Sequence, residues 1–136
     1  VHTMKAMFPE LHLSLNGEIG SLTQAKGLLD AGLDGVMIGR AAYQRPYDIL
    51  AGADEDIFGQ KGRTCAKEVV HQMVPYIEQH IKEGGKLNQI TRHMLGLFTG
   101  REGARMWRRL LSERGHSSGV ELVLEALHKV DRAIAH

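Results

Sequence analysis

Between His12 and Arg40 the sequence reads as strand, helix, strand with almost no chain to spare in the connections, and few architectures admit that succession. His12-Leu13-Ser14-Leu15 alternates polar and apolar residues before Asn16-Gly17, the pattern of a short strand that ends in a turn. Ser21 and Gln24 have capping-box spacing, Leu22, Ala25, Leu28 and Leu29 share one helical face, and Gly32 stands where a helix ends. Val36-Met37-Ile38 then reads as a second strand, closed by Gly39-Arg40. Strands joined through a helix pair in parallel with a right-handed crossover. Two parallel strands cannot cover both of their own faces, so the remainder of the sheet is expected to lie outside this sequence.

The patterning changes near Gly59 to Arg63. We divide the chain into an α/β region at 1–58, a linker at 59–63 and an all-α region at 64–136. In the last region Ala66, Val69, Val70, Met73, Ile77 and Ile81 repeat at helical spacing, with Thr64 as N-cap, a kink at Pro75 and a stop at Gly84-Gly85. A second helix is expected over 88–98. A third carries Ala104, Trp107, Leu110 and Leu111 to Gly115. The last follows a Ser118/Glu121 capping box and places Leu124, Leu127, Val130 and Ile134 on its apolar face. Four helices with short connections predict a four-helix bundle.

Charge excludes little: 17 Lys+Arg face 16 Asp+Glu, a formal net charge of +1, so any nucleic-acid surface must be local. No apolar run approaches the ~20 residues of a spanning helix, and no signal pattern opens the chain. We expect a soluble cytoplasmic protein without membrane or DNA partners. The single cysteine, Cys65, excludes an internal disulfide and a multi-cysteine metal site. Its place at the start of a helix reads as a small buried structural residue.

Both strand ends carry a glycine turn, Asn16-Gly17 and Gly39-Arg40, and both stand on consecutive βα units. In (β/α)₈ barrels the loops after the seventh and eighth strands, with a short extra helix, often hold a phosphate. Arg40 would add a charge-assisted donor, and residues 46–50 supply a candidate extra helix. On spacing alone, plain turn glycines and a surface cation account for the same residues equally well.

The words narrow this further. Leu15-Asn16-Gly17-Glu18-Ile19 and the run from Asp34 to Pro46, with Gly39-Arg40-Ala41-Ala42-Tyr43 at its centre, resemble the last two barrel strands of the tRNA-dihydrouridine synthases. Ile90-Thr91-Arg92-His93-Met94-Leu95-Gly96-Leu97-Phe98, followed by the run Gly103 to Arg109, resembles the helical domain of that family's A-type branch. The resemblance implies the last two βα units of an FMN-binding TIM barrel followed by a tRNA-gripping helical domain. It implies FMN contacts at Asn16, Gly17, Glu18, Gly39 and Arg40, with NADPH as the reductant of the full-length enzyme. The reaction implied is reduction of a D-loop uridine, of the 20/20a class, to 5,6-dihydrouridine. Glycine is usual at position 18, so Glu18 must contribute its backbone amide with the carboxylate turned away. The family's catalytic cysteine belongs to an earlier loop, and Cys65 is not that residue. This chain alone is therefore expected to be inactive, and its first region to need the rest of the barrel or a second copy of the chain.

Between Lys86 and Arg114 there are seven Lys+Arg against Glu102 and Glu113. Arg105, Arg108 and Arg109 share one face of the third helix, opposite Trp107, Leu110 and Leu111. A guanidinium stripe suits an RNA backbone, and with the resemblance it makes Arg105 and Arg108 the candidate tRNA contacts. A solvated helix face, with a local pair such as Arg109 and Glu113, is the competing account. His93 fits either a packed or an RNA-facing role, and Trp107 fits the core better than a base-stacking platform. Two rivals remain at this level: a free-standing RNA-binding helical module, and the end of another FMN- or phosphate-binding barrel oxidoreductase.

Overall fold

The computed structural model of the chain describes residues 1–134 and is mostly helical, with two strands among the described residues. The last two positions of the 64–136 region lie outside the described residues. The backbone falls into two compact units, Val1–Arg63 and Thr64–His136.

In the first unit β1 (Ser14–Asn16) and β2 (Gly35–Met37) pair in parallel, with Leu15 opposite Val36. Between them runs α2 (Leu22–Asp30), whose Ala25 is buried while Leu22, Leu28 and Leu29 are half-buried. Its capping follows the expected pairing with one displacement. The Ser21 hydroxyl accepts from the Gln24 amide at 3.1 Å, but the Gln24 side chain accepts from Gly20 N–H at 3.0 Å, one residue before the cap.

An unexpected helix, α1 (His2–Met7), precedes the strands and buries none of its residues. Polar contacts hold it. Lys5 Nζ donates to the carbonyls of Pro9 and Leu11 at 2.9 and 2.7 Å and lies 2.7 Å from Asp34 Oδ2. Asp34 also accepts from Leu13 N–H at 2.8 Å, so one carboxylate ties this segment to the head of β2. After β2 come α3 (Arg40–Gln44), α4 (Pro46–Leu50) and α5 (Ala53–Asp56). The helix expected over 46–50 is present, with Pro46 at the first helical position, where the missing N–H costs nothing.

The second unit is built on α6 (Ala66–Lys82), α7 (Leu87–Thr91), α8 (Ala104–Arg114) and α9 (Glu121–Ile134). Helix α6 runs through Pro75, which is exposed, and buries Ala66, Val70 and Ile77. Cys65, not Thr64, is its N-cap residue, and it caps nothing with its side chain. Cys65 is also exposed, contrary to the buried role expected of it, because the polar loop that leads into α6 is exposed along 60–65.

The second helix is much shorter than the expected 88–98. Helix α7 stops at Thr91, and consecutive turns follow through Met94 N–H to Thr91 O and Leu97 N–H to Met94 O. Tertiary contacts outweigh the local pattern there, since the Met94 carbonyl accepts the indole N–H of Trp107 at 3.0 Å. Trp107 is fully buried and meets Phe98 edge-on with centroids 4.9 Å apart, which places it in the core as expected.

At α9 the apolar face differs from the expected one. Leu122, Val123, Ala126, Leu127 and Val130 are buried, whereas Leu124 and Ile134 are exposed. The stripe at 123, 126, 127 and 130 follows helical spacing, and position 124 lies off it. Of the expected Ser118/Glu121 box, Glu121 at the first position of α9 accepts from Gly119 N–H at 2.8 Å.

Candidate functional site

In the first unit the ends of both strands open into one cleft of about 450 Å³. Asn16, Gly17 and Glu18 from the turn after β1 line it together with Gly39 and Arg40 at the start of α3. Two segments more than twenty residues apart thus meet because the parallel register sets Asn16 beside Met37, so both chains leave the sheet at the same end. Gly17 has φ +134°, a conformation that L side chains rarely adopt, and a Cβ there would meet no atom within 4 Å. The turn needs glycine for its backbone path, not for space.

Glu18 has φ +54°, in the left-handed region where a non-glycine residue is uncommon. Its side chain is exposed. The local backbone at 18 is therefore one that glycine adopts without cost, in keeping with the glycine expected there.

Among the further residues that line the cleft and that sequence reasoning did not single out are Gly20 and Arg45. Arg45 precedes a proline at the junction of two short helices, and that placement was the available signal. Arg40 and Arg45 both line the cleft, with Glu18 the one carboxylate in that lining, and Arg40 is the donor that suits an anion there. Arg45 Nη2 donates to the Gly20 carbonyl at 3.2 Å, and its Nη1 lies 3.5 Å from Asp48 Oδ2.

The basic residues of the second unit lie on a separate element. Arg105, Arg108 and Arg109 are exposed on α8, opposite the buried Ala104, Trp107, Leu110 and Leu111. No carboxylate forms an ion pair with Arg105 or Arg108 among the described residues. Arg109 is directed to Met106 Sδ at 3.5 Å and not to Glu113. Arg114 is committed elsewhere, 2.8 Å from Glu125. His93 is exposed, and its Nε2 accepts from Arg92 Nε at 3.0 Å. Among the described residues no cluster of His, Cys, Asp or Glu could hold a metal ion, and no helix is long and apolar enough to cross a membrane.

The sequence profile of the dihydrouridine synthase (Dus) family matches residues 1–134. The chain is 49% identical over 133 residues to the tRNA-dihydrouridine(20/20a) synthase of Shewanella oneidensis, which covers 96% of this chain and 39% of that protein. It is 47% identical over 132 residues to the Vibrio cholerae protein of the same name, covering 95% of the chain and 40% of the relative. For the Escherichia coli K12 protein, again of that name, the identity is 50% over 127 residues, 92% of the chain and 36% of the relative. The chain therefore spans about two fifths of the length of these curated relatives.

Proposed function

The chain belongs to the dihydrouridine synthase family, and on that premise we propose that it is part of a tRNA-dihydrouridine(20/20a) synthase that reduces D-loop uridine in tRNA. In this reading 1–58 are the last two βα units of a (β/α)₈ barrel and 64–136 the helical tRNA-binding domain, in the cytoplasm. The cleft at the strand ends holds the phosphate of FMN, through Asn16, Gly17, the backbone of Glu18, Gly39 and Arg40. When bound, the flavin supplies the hydride for the uracil double bond, with NADPH as its reductant. The chain's own residues bind and orient: two turns present backbone at the anion, and Arg40 neutralises it. Proton donation to the ring falls to a cysteine that this sequence does not contain, so this portion by itself is not expected to reduce uridine.

One observation supports the flavin reading above the others. All five residues expected from the resemblance, drawn from two distant turns, line one cleft. For tRNA the support is Arg105 and Arg108, exposed and without carboxylate partners among the described residues, on the face of α8 opposite its buried residues. The test of the flavin reading is Arg40→Ala in the full-length enzyme. FMN binding should weaken by roughly 1.5–3 kcal/mol, the loss of one charge-assisted contact. Flavin retained at the wild-type level would return Arg40 to the role of a surface cation.

A further inference from the structure

We propose that Arg45 is the positioning residue of the cleft: it locks the turn after β1 to the junction of α3 and α4, so that the two anion-facing turns are held at a fixed separation before anything binds. The proposal rests on the anion reading of the cleft for its purpose, but not for its geometry.

The lock begins in the backbone. Arg45 closes α3 by donating its N–H to Ala41 O at 2.9 Å, and its carbonyl starts the next turn by accepting from Asp48 N–H at 3.1 Å. Pro46 follows, with no N–H to extend α3 and with a ring that drives the preceding residue out of the helical region. Arg45 accordingly has φ −136° and ψ 61°, and the chain bends there. Fixed on both sides, the residue sends its side chain across the cleft to Gly20. Gly20 is then held through both of its flanking peptide groups, its N–H donating to the Gln24 side chain at 3.0 Å and its carbonyl accepting from Arg45 Nη2 at 3.2 Å. Gln24 belongs to α2, and Arg45 to the far wall. Asp48 pairs with the same guanidinium, its Oδ2 3.5 Å from Nη1. A planar fork can address a carbonyl and a carboxylate together, whereas an ammonium is a point charge on a flexible stem.

The turn that carries Gly17 and Glu18 is short, and Glu18 stands in a backbone region that its own side chain disfavours. A polar pin at Gly20 keeps that turn from relaxing. This is preorganisation, in which binding is strengthened by removing the freedom that a ligand would otherwise have to freeze.

Arg45→Lys and Arg45→Met in the flavin-free full-length protein separate positioning from charge. Two readouts are needed: amide order parameters of residues 17–20 without ligand, and the affinity for inorganic phosphate followed at the amides of Gly17, Glu18 and Arg40. Both variants should loosen residues 17–20, and both should weaken phosphate roughly three- to tenfold, the scale of one hydrogen bond. Wild-type order and affinity in Arg45→Lys would overturn the proposal, because charge alone would then suffice. Looser residues 17–20 with unchanged phosphate affinity would overturn it too, since the lock would serve no ligand. If phosphate moves none of these amides in the wild-type chain, the anion reading of the cleft fails. The order parameters then decide Arg45's hold on the turn by themselves, supporting it if Arg45→Lys loosens the turn and refuting it if not.

Discussion

The two units reach order by different means. In Thr64–His136 apolar burial carries the structure, with Val70, Ile77, Leu87, Phe98, Trp107 and Val123 all nearly or fully inaccessible. In Val1–Arg63 the buried apolar side chains are Ile19, Ala25, Leu33, Ile49 and Ala51, and of these only Ala25 reaches that depth. Met4, Met7, Phe8, Leu11, Met37 and Phe58 remain exposed there. Position in the first unit is set instead by polar pins, Lys5 with Asp34 and the double hold on Gly20. Burial of apolar area is the larger source of stability, at ~25 cal/mol per Å², while exposed polar pairs contribute little. The unit that offers a cleft is thus the one with the smaller core, and its geometry depends on directional contacts.

The largest effect should come from Trp107→Ala. It empties the centre of the second unit, removes the edge-on contact with Phe98 and leaves the Met94 carbonyl without its indole donor. A loss of about 3–5 kcal/mol is expected in denaturant unfolding. Amide exchange read unit by unit sharpens the contrast: protection should collapse across 64–134 and persist at β1 and β2. Simultaneous loss in both units would show that the first borrows its order from the second.

Gly103→Ala should come next. Gly103 begins α8 with φ +77°, and a Cβ there would stand 2.8 Å from the Val130 Cα, a backbone atom of α9 that cannot swing aside. Left-handed strain and the clash together should cost roughly 2–3 kcal/mol. A thermal midpoint within a degree of wild type would mean that α8 and α9 are not packed as closely as described.

Much of this contrast was legible in the residues. The strand, helix, strand order follows from alternation, a Ser21 cap and two glycine turns, all of them short-range signals. Helix α8 was equally clear, since Ala104, Trp107, Leu110 and Leu111 are the residues it buries. What escaped depends on contacts distant in sequence. After α7 the chain runs in turns, and the Met94 carbonyl there accepts both the Leu97 N–H and the Trp107 indole thirteen residues on, a contact that no local pattern records. Helix α1 has no buried face to announce it and is held through Asp34. In the cleft the two turns were readable as glycine positions, but Arg45 was not, because its role comes from the bend at Pro46 and from a carbonyl on another segment.

A smaller effect tests whether the second unit also carries the RNA surface. In the full-length enzyme, Arg105→Ala with Arg108→Ala should weaken tRNA binding and lower the slope of log K against log salt by roughly one unit at most per phosphate contact. Flavin retention should not change, since neither residue lines the cleft. The matched pair Lys129→Ala with Arg132→Ala should do much less, Lys129 already being held 2.9 Å from Glu125. Equal losses from both pairs would reduce the stripe on α8 to general electrostatics, and no loss from the first would make it a solvated helix face.

The smallest expected effect is the most direct comparison of the two kinds of order. Asp34 in the first unit and Glu125 in the second are both held below their ordinary carboxylate pKa values. For Asp34 the causes are the Lys5 hydrogen bond and then the Leu13 amide. For Glu125 they are the Lys129 hydrogen bond and, after it, Arg114. A carboxyl whose folded pKa is depressed contributes stability that is present above its unfolded pKa and is lost as pH falls through the folded value. Both contributions should therefore fade only at acid pH, and both should be small because the groups are accessible. Their origins differ. Lys129 stands four residues from Glu125 on one helix, a pairing that survives wherever α9 is helical. Lys5 and Leu13 are distant in sequence from Asp34: Lys5 meets it only when the α1 segment is docked, and Leu13 meets it beside the β1–β2 pairing, where the Asp34 N–H also donates to the Leu13 carbonyl. Carboxyl titration by carbon NMR should place Asp34 below ordinary aspartate in the intact chain, and Lys5→Met should raise it toward that value while leaving Glu125 unmoved. If Asp34 titrates as an ordinary aspartate in the wild-type chain, the polar pin is not formed in solution. The first unit would then lack, at its N-terminal end, the directional order that stands in for a core.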